Sequence, residues 1–339
     1  MNLNLSQIKA ITTGVVRVEQ SENEIHFYRF TKEQEELYKN RRDDFYLKTF
    51  ATSGIRMCFR TNSQTLRLVA EISAGSSRRY FAFDLFVNGK KIGALDNFSE
   101  VELPRDYTGV TLPMGEFSKE FCLGTGEKDV CVYFPWSVKA VLKEISIDDD
   151  SFVAPIRPSK KMLCFGDSIT QGYDALHPSS KYISQLADML DAQEYNKAIG
   201  GEIFFPALAA AKEAFEPDYI TVAYGTNDWN RCTKEAFISN CREFLANLKN
   251  NYPAAKIFVI TPIWRKDMDQ IRPFGDFKSV GEIIQDQAAA FDNVFVVEGF
   301  GFVPKDERLY ADLRLHPNDK GYEYYFANLW KQITQMLES

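Results

Sequence analysis

Four short runs constrain the second half of this 339-residue chain more than anything else in it: Met162-Leu163-Cys164-Phe165, Tyr219-Ile220-Thr221-Val222-Ala223-Tyr224, Ile257-Phe258-Val259-Ile260 and Val294-Phe295-Val296-Val297. Each is apolar on nearly every residue instead of every second one, so both of its faces have to be covered. Between and after them lie stretches of helical character, at 182–190, 234–249, 280–291 and 322–337. Wholly apolar strands separated by helices imply a parallel sheet with helices on both faces. The ligands of such a sheet belong at the carboxyl ends of its strands.

The first half follows a different period. Gly54-Ile55-Arg56-Met57-Cys58-Phe59-Arg60-Thr61, Thr65-Leu66-Arg67-Leu68-Val69-Ala70-Glu71-Ile72 and Phe81-Ala82-Phe83-Asp84-Leu85-Phe86-Val87 largely alternate between inward and outward candidates. The last run meets Asn88-Gly89 and then Lys90-Lys91-Ile92, a two-residue hairpin signal, because both turn positions need positive φ. Further strands are expected at 131–134 and 138–147. Many short strands with turns between them suggest an antiparallel sandwich of jelly-roll type. The character changes around Asp148-Asp149-Asp150-Ser151 and Pro155-Ile156-Arg157-Pro158, which places the expected boundary between a β-sandwich at 1–155 and an α/β domain at 156–339. Two domains also suit the length.

A net charge of -7 without a basic face argues against nucleic acid as a partner. The start, Met1-Asn2-Leu3-Asn4-Leu5-Ser6-Gln7, has no basic leader and no apolar core of signal-peptide length, and no run approaches the ~20 apolar residues of a membrane span. The expectation is a cytoplasmic protein with no membrane partner; the oligomeric state stays open. The six cysteines, at 58, 122, 131, 164, 232 and 241, show no metal-ligand spacing, which argues against a zinc site and a disulfide framework and reads as free buried thiols. Cys122 and Cys131 are the pair placed to face each other across a hairpin.

Chemistry-bearing residues collect in four segments: Gly166-Asp167-Ser168-Ile169-Thr170, Asn196-Lys197-Ala198-Ile199-Gly200-Gly201, Gly225-Thr226-Asn227-Asp228 and Asp312-Leu313-Arg314-Leu315-His316-Pro317. Ser168 follows a buried strand by a tight turn and opens a helix, so its hydroxyl and N–H meet the positive end of the helix dipole. An unassisted hydroxyl is a poor nucleophile and needs a base, and the tetrahedral intermediate it forms needs donors for its oxyanion. Asn227 stands just after a buried strand, and Asp228 reads as a local hydrogen-bond organiser. Of the three histidines, His26 falls in a strand, His177 stands just beyond the Ser168 loop as a cleft-lining candidate to which no orienting acid is assigned, and His316 stands in the loop before the last helix.

These blocks, in this order over about residues 160–339, resemble the SGNH/GDSL hydrolases. The resemblance implies a flavodoxin-like α/β/α sandwich with Ser168 as nucleophile, His316 as base and an oxyanion hole made by Ser168, Gly201 and Asn227. Counting from Asn196 favours Gly201 over Gly200. Family members carry an aspartate three residues before the histidine, where this chain has Leu313. Either a bulge brings Asp312 to the imidazole, or a backbone carbonyl orients it in a Ser-His dyad. The β region ahead of this domain resembles two-domain carbohydrate esterases. Tyr173, Trp229, Trp264 and Trp136 are the aromatic candidates for a sugar-stacking cleft, and Gln171, Asp174, Asn230, Arg231, Arg265, Lys266, Asp267 and Arg314 are expected to give the cleft a polar rim.

The implied activity is hydrolysis of short acyl esters, acetyl above all, on a carbohydrate or related small molecule, with no metal and no organic cofactor. The substrate is then a small-molecule or oligosaccharide ester. The alternatives are a lipase, thioesterase or acyltransferase of the same family, or a non-catalytic carbohydrate-binding protein on an esterase scaffold.

Overall fold

The structure, a computed structural model, describes residues 1–338. Five parallel strands make the sheet of the second half, side by side in the order Ala192–Asn196, Lys160–Gly166, Tyr219–Ala223, Lys256–Ile260 and Val294–Val297. The chain leaves Lys160–Gly166 toward one edge and returns on its other side, so the order reverses there. That reversal opens a crevice at the carboxyl end of the strand, the usual ligand position in doubly wound sheets. One face is covered by helices that include Lys234–Asn251 and Lys278–Ala288, the other by Tyr182–Met189 and Asp319–Glu338. The edge strand Ala192–Asn196 was not expected, because Ala-Gln-Glu-Tyr-Asn offers little apolar patterning. Its polar members are buried through partners instead: Glu194 receives Lys181 Nζ at 2.9 Å and Ser184 Oγ at 2.6 Å.

Two antiparallel sheets precede it. One places Thr12–Thr13, Arg56–Thr61, Lys128–Tyr133, Ala82–Val87 and Lys90–Asp96 side by side, with Ala154–Pro155 added to Arg56–Thr61. The other runs Arg17–Ser21, Glu24–Tyr28, Val138–Ile147, Thr65–Ala74 and Gly115–Cys122. From residue 56 to 147 the chain crosses between the sheets at every connection but one, in the manner of a jelly roll. The exception is the hairpin at Asn88 (φ 49°) and Gly89 (φ 75°). Phe59, Leu66, Leu68, Phe83, Val132 and Leu142 fill the space between the sheets.

Cysteine pairing departs from expectation. Cys131 lies directly opposite Cys58 on neighbouring strands, and the two form a disulfide. Cys122 belongs to the other sheet and is free and exposed.

The first half also holds helices the period-two reading did not anticipate: Leu5–Ile11, Lys32–Lys39 and Asp43–Thr49. Lys32–Lys39 begins with a capping box in which Thr31 and Gln34 satisfy each other's backbone N–H groups. Phe30, Tyr38 and Phe45 leave the sandwich altogether and pack with Leu163, Ile199 and Val222 in the α/β core. A second shared cluster joins Tyr80 and Trp136 to Tyr173 and Ala311. The two halves therefore meet through apolar cores as well as through polar contacts.

Arg29 ties this junction together. It is 1% exposed, and its guanidinium donates to the carbonyls of Ala51 (2.5 Å), Asn196 (2.6 Å) and Lys48 (3.0 Å). Burial, only partly offset by Tyr38 and Glu194, holds its pKa down at about 9. Arg29→Leu would strand several buried acceptors at once, each costing ~1–3 kcal/mol. The expected outcome is a lower midpoint of urea unfolding with the slope unchanged; a midpoint shifted by less than about 1 kcal/mol equivalent would remove Arg29 from the stabilising contacts.

Candidate active site

Three loops at the carboxyl ends of neighbouring strands converge on the crevice. The first leaves Lys160–Gly166 and enters the short helix Ser168–Gln171, whose N-cap Asp167 accepts the Ile169 N–H at 2.9 Å. This places Ser168 in the first turn, where no carbonyl of the helix is available to its N–H. The second follows Ala192–Asn196 and contains Gly200 and Gly201. The third follows Tyr219–Ala223 and contains Asn227. Asp228 ties the second and third together, accepting the N–H groups of Phe204 and Gly225 at 3.0 Å each. Burial raises this carboxyl to about 7, and that of Asp167 to about 6.

Ser168 Oγ lies 2.8 Å from His316 Nε2. On the far side of the ring, Nδ1 donates to Asp312 Oδ2 at 2.9 Å. The fourth-residue spacing is accommodated by Leu313, which takes a left-handed conformation (φ 55°), uncommon for a residue with a branched side chain. Asp312 Oδ1 meanwhile accepts the N–H groups of Arg314, Leu315 and His316 at 2.7 to 3.0 Å. The extra residue thus wraps a turn around the carboxylate and leaves the carboxylate in reach of the ring.

A second carboxylate stands at the same nitrogen. Asp174 Oδ2 is 3.2 Å from Nδ1, fully buried, and held by groups from the sandwich half. Arg78 Nε and Nη2 donate to its two oxygens at 2.5 and 2.9 Å, and Tyr80 Oη donates at 2.5 Å. Sequence reading placed Asp174 merely on the rim, and no signal linked it to Arg78 or Tyr80, which lie more than ninety positions earlier. Burial alone would discharge this cluster. The facing charges overcome it, keeping Asp174 and Asp312 below the ordinary carboxylate range and raising His316 to about 9. Asp174, Asp312 and His316 also bring three potential metal ligands within 4.8 Å of one another; the Arg78 guanidinium beside Asp174 already supplies that carboxylate with a cation.

On the other side of Ser168, the Gly200 N–H is occupied by Gln171 Oε1 at 2.7 Å, and a side chain at Gly200 would collide with the Tyr173 ring at 2.6 Å. Gly201 has φ 88°. Lys48, from the helix Asp43–Thr49, donates to the Gly200 carbonyl at 2.8 Å. Carbonyl and N–H point in opposite directions across a trans peptide, so this bond fixes where the Gly201 N–H is aimed. Asn227 Nδ2 donates one hydrogen to the Glu202 carbonyl at 3.0 Å, and an amide nitrogen has a second to offer.

The resulting cleft has a volume of about 340 Å³ and is bordered by Ser168, Tyr173, Gly201, Asn227 and His316 together with polar and cationic side chains. Of the four aromatics expected to stack on a sugar, the structure brings only Tyr173 here, its ring centroid 5.6 Å from that of His316. Trp136 and Trp229 are buried, with their Nε1–H groups donated to the carbonyls of Ala175 (2.7 Å) and Gly275 (2.8 Å). Trp264 packs edge-on against Tyr310 at 5.3 Å and does not border the cleft. Large aromatics after a strand are as readily packing as ligand contact: Trp136 and Trp229 are core, and Trp264 is half-buried against it. Gln171 and Asp174, expected on the rim, lie beneath it.

Known proteins resemble this chain in family and in fold. The family model of the GDSL-like lipase/acylhydrolases matches residues 164–324. No curated protein sequence matches significantly. Among solved structures, the salicylyl-acyltransferase SsfX3 from a tetracycline biosynthetic pathway is 19% identical, with a TM-score of 0.78 over 96% of this chain and 94% of that one. A Bacteroides ovatus protein described as a GDSL-like lipase is 17% identical, with a TM-score of 0.76 over 100% and 98%. A family two carbohydrate esterase from Cellvibrio japonicus is 16% identical, with a TM-score of 0.66 over 98% and 97%. At these identities the structures speak for the fold, and the fold they share includes the sandwich as well as the α/β layers. The α/β part of the chain, matched over residues 164–324, is therefore a domain of the GDSL-like lipase/acylhydrolase family, the SGNH/GDSL hydrolases.

Proposed function

We propose that this acyl hydrolase is a serine esterase for short acyl groups, acetyl in the first place, carried on a carbohydrate or a similarly polar alcohol. The observation that carries the reading is the unbroken contact from Ser168 Oγ through His316 to Asp312, with distances of 2.8 and 2.9 Å. In the proposed cycle, Ser168 Oγ attacks the ester carbonyl carbon as His316 Nε2 takes its proton. The intermediate collapses, the alcohol leaves with that proton, and an acyl-serine remains. Water then attacks with the same base, and the free acid departs. The oxyanion would rest on the N–H groups of Ser168 and Gly201 and the Asn227 amide. Gly201 is favoured over Gly200, whose N–H already has a partner in Gln171.

The polar rim of the cleft favours a polar alcohol over a long apolar chain. Each buried methylene would add ~0.8 kcal/mol in an apolar channel, whereas among the described residues the cleft at Ser168 is bordered mainly by polar and cationic side chains. p-Nitrophenyl esters should therefore be hydrolysed best as acetate or propionate and fall off by hexanoate. Ser168→Ala should abolish turnover and leave the fold intact. A series that rises to octanoate would redirect the reading to lipid esters, and labelling by a fluorophosphonate at any other residue would remove Ser168 as nucleophile.

The likeness to an acyltransferase across both halves of the chain favours one second reading, in which an alcohol intercepts the acyl-serine in place of water. Product partition with added sugar separates the two.

Only neutral imidazole can accept the serine proton. With His316 raised to about 9 by Asp174 and Asp312 against the opposing effect of burial, kcat/KM should climb with pH and level off only near pH 9. Asp174→Asn should move that rise to lower pH by at least about one unit. A profile unmoved by this change would leave Asp174 a structural residue. Loss of the acid in a complete triad costs ~10⁴ in kcat. Because two carboxylates serve one nitrogen here, Asp312→Asn alone should cost roughly 10–100-fold, and the double variant should approach the full loss. A loss of ~10⁴ from Asp312→Asn alone would assign the whole task to Asp312.

A further inference from the structure

The cleft around Ser168 is bordered by five cationic side chains, Lys48, Arg78, Arg231, Arg265 and Arg314, and by no aspartate or glutamate among the described residues. The chain as a whole has the opposite balance, 47 acidic residues against 40 basic. Four of these cations are answered from behind. Arg78 pairs with the buried Asp174, Arg265 and Arg314 share Asp267, and Lys48 lies 3.1 Å from Asp44.

Arg231 differs. It closes the helix Asp228–Arg231 and is exposed. Its Nη1 donates to the Gly201 carbonyl, and no carboxylate stands within 4.0 Å of it among the described residues. The guanidinium is thereby held against the loop proposed to receive the oxyanion, with further N–H donors free of any bond to a protein carboxylate. A guanidinium presents its donors in a planar fork that matches carboxylate, phosphate and sulfate oxygens. Arg314, which borders the same cleft from the loop that carries His316, is half exposed (48%) and offers Asp267 one nitrogen at 3.1 Å.

Resting on the esterase reading, we infer that the substrate carries an anionic group, which Arg231 receives beside the oxyanion loop while Arg314 adds to the field at the mouth. The scissile ester then sits a short span from a carboxylate, phosphate or sulfate on the same molecule. That charge can lie on the acyl portion or on the alcohol portion.

Matched pairs of esters distinguish these. For the alcohol side the probes are 3-acetoxybenzoate and its neutral methyl ester; for the acyl side, mono-p-nitrophenyl glutarate and p-nitrophenyl valerate. In at least one pair the anionic ester should have a kcat/KM about tenfold or more above its neutral partner at low salt, and the pair concerned tells which portion bears the charge. Raising NaCl from about 0.05 to about 0.5 M should erode that advantage, since screening shortens the reach of exposed charges. Arg231→Gln should lower the anionic-to-neutral ratio by about tenfold, and Arg314→Gln by less. If Arg231→Gln slows both esters equally, the residue only positions Gly201 and the inference fails. Neutral esters turned over as well as anionic ones also overturn it, while the esterase reading stands. If no ester of either kind is cleaved, that reading itself is lost.

Discussion

The buried carboxylate of Asp174 is the constraint around which the site is arranged. An ionised carboxylate taken out of water is costly unless charge and hydrogen bonds replace the solvent. Here the replacement comes from three directions: the Arg78 fork, the Tyr80 hydroxyl and the His316 imidazole. Tyr107 Oη adds a bond of 2.6 Å to the carbonyl of the same residue. Two of the charge-bearing partners sit on different halves of the chain, so the demand for neutrality at one point fixes how the halves meet. It also fixes the imidazole, because the ring has to present Nδ1 to the carboxylates and therefore Nε2 to Ser168.

The sheet contributes the other half of the arrangement. Strand order reverses at Lys160–Gly166, and the loops that follow this strand and its two neighbours hold Ser168, Gly201 and Asn227. Residues far apart in sequence are thus delivered to one crevice by backbone geometry, before any side chain is chosen. Tyr173 then closes one wall, its ring tilted against Trp136 at 4.9 Å on one side and against His316 on the other, and its ring is what restricts residue 200 to glycine.

Much of this could be read from the chain itself, and the exceptions share a cause. Doubly buried strands announce themselves as apolar runs, and Asn88-Gly89 announces its hairpin, because each is a local property. The proximity of Asp312 to His316 was open in the sequence and turned on the conformation of a single residue, Leu313. Asp174, Lys48 and Arg78 were out of reach. Their importance comes from pairings across long stretches of chain, and an isolated Asp, Lys or Arg is ordinarily solvated surface. The strand Ala192–Asn196 was hidden because its burial depends on Lys181 and Ser184 satisfying Glu194, not on apolar pattern. The aromatic residues misled in the other direction: Trp136, Trp229 and Trp264 suit a sugar platform by type and are packing by position.

The Lys48 bond to the Gly200 carbonyl has a consequence for how such a chain can change over generations. Lys48 comes from a helical excursion of the sandwich half, yet it aims a peptide of the other half, as Arg78 does a carboxylate. Neither half is a cassette. A recombination event that exchanged the β-sandwich for another of equal stability would preserve both sheets and still leave the Gly201 amide unaimed and Asp174 without its counter-charge. Inheritance should accordingly keep the two halves together, with drift at Lys48 or Arg78 answered by change in the loops they hold.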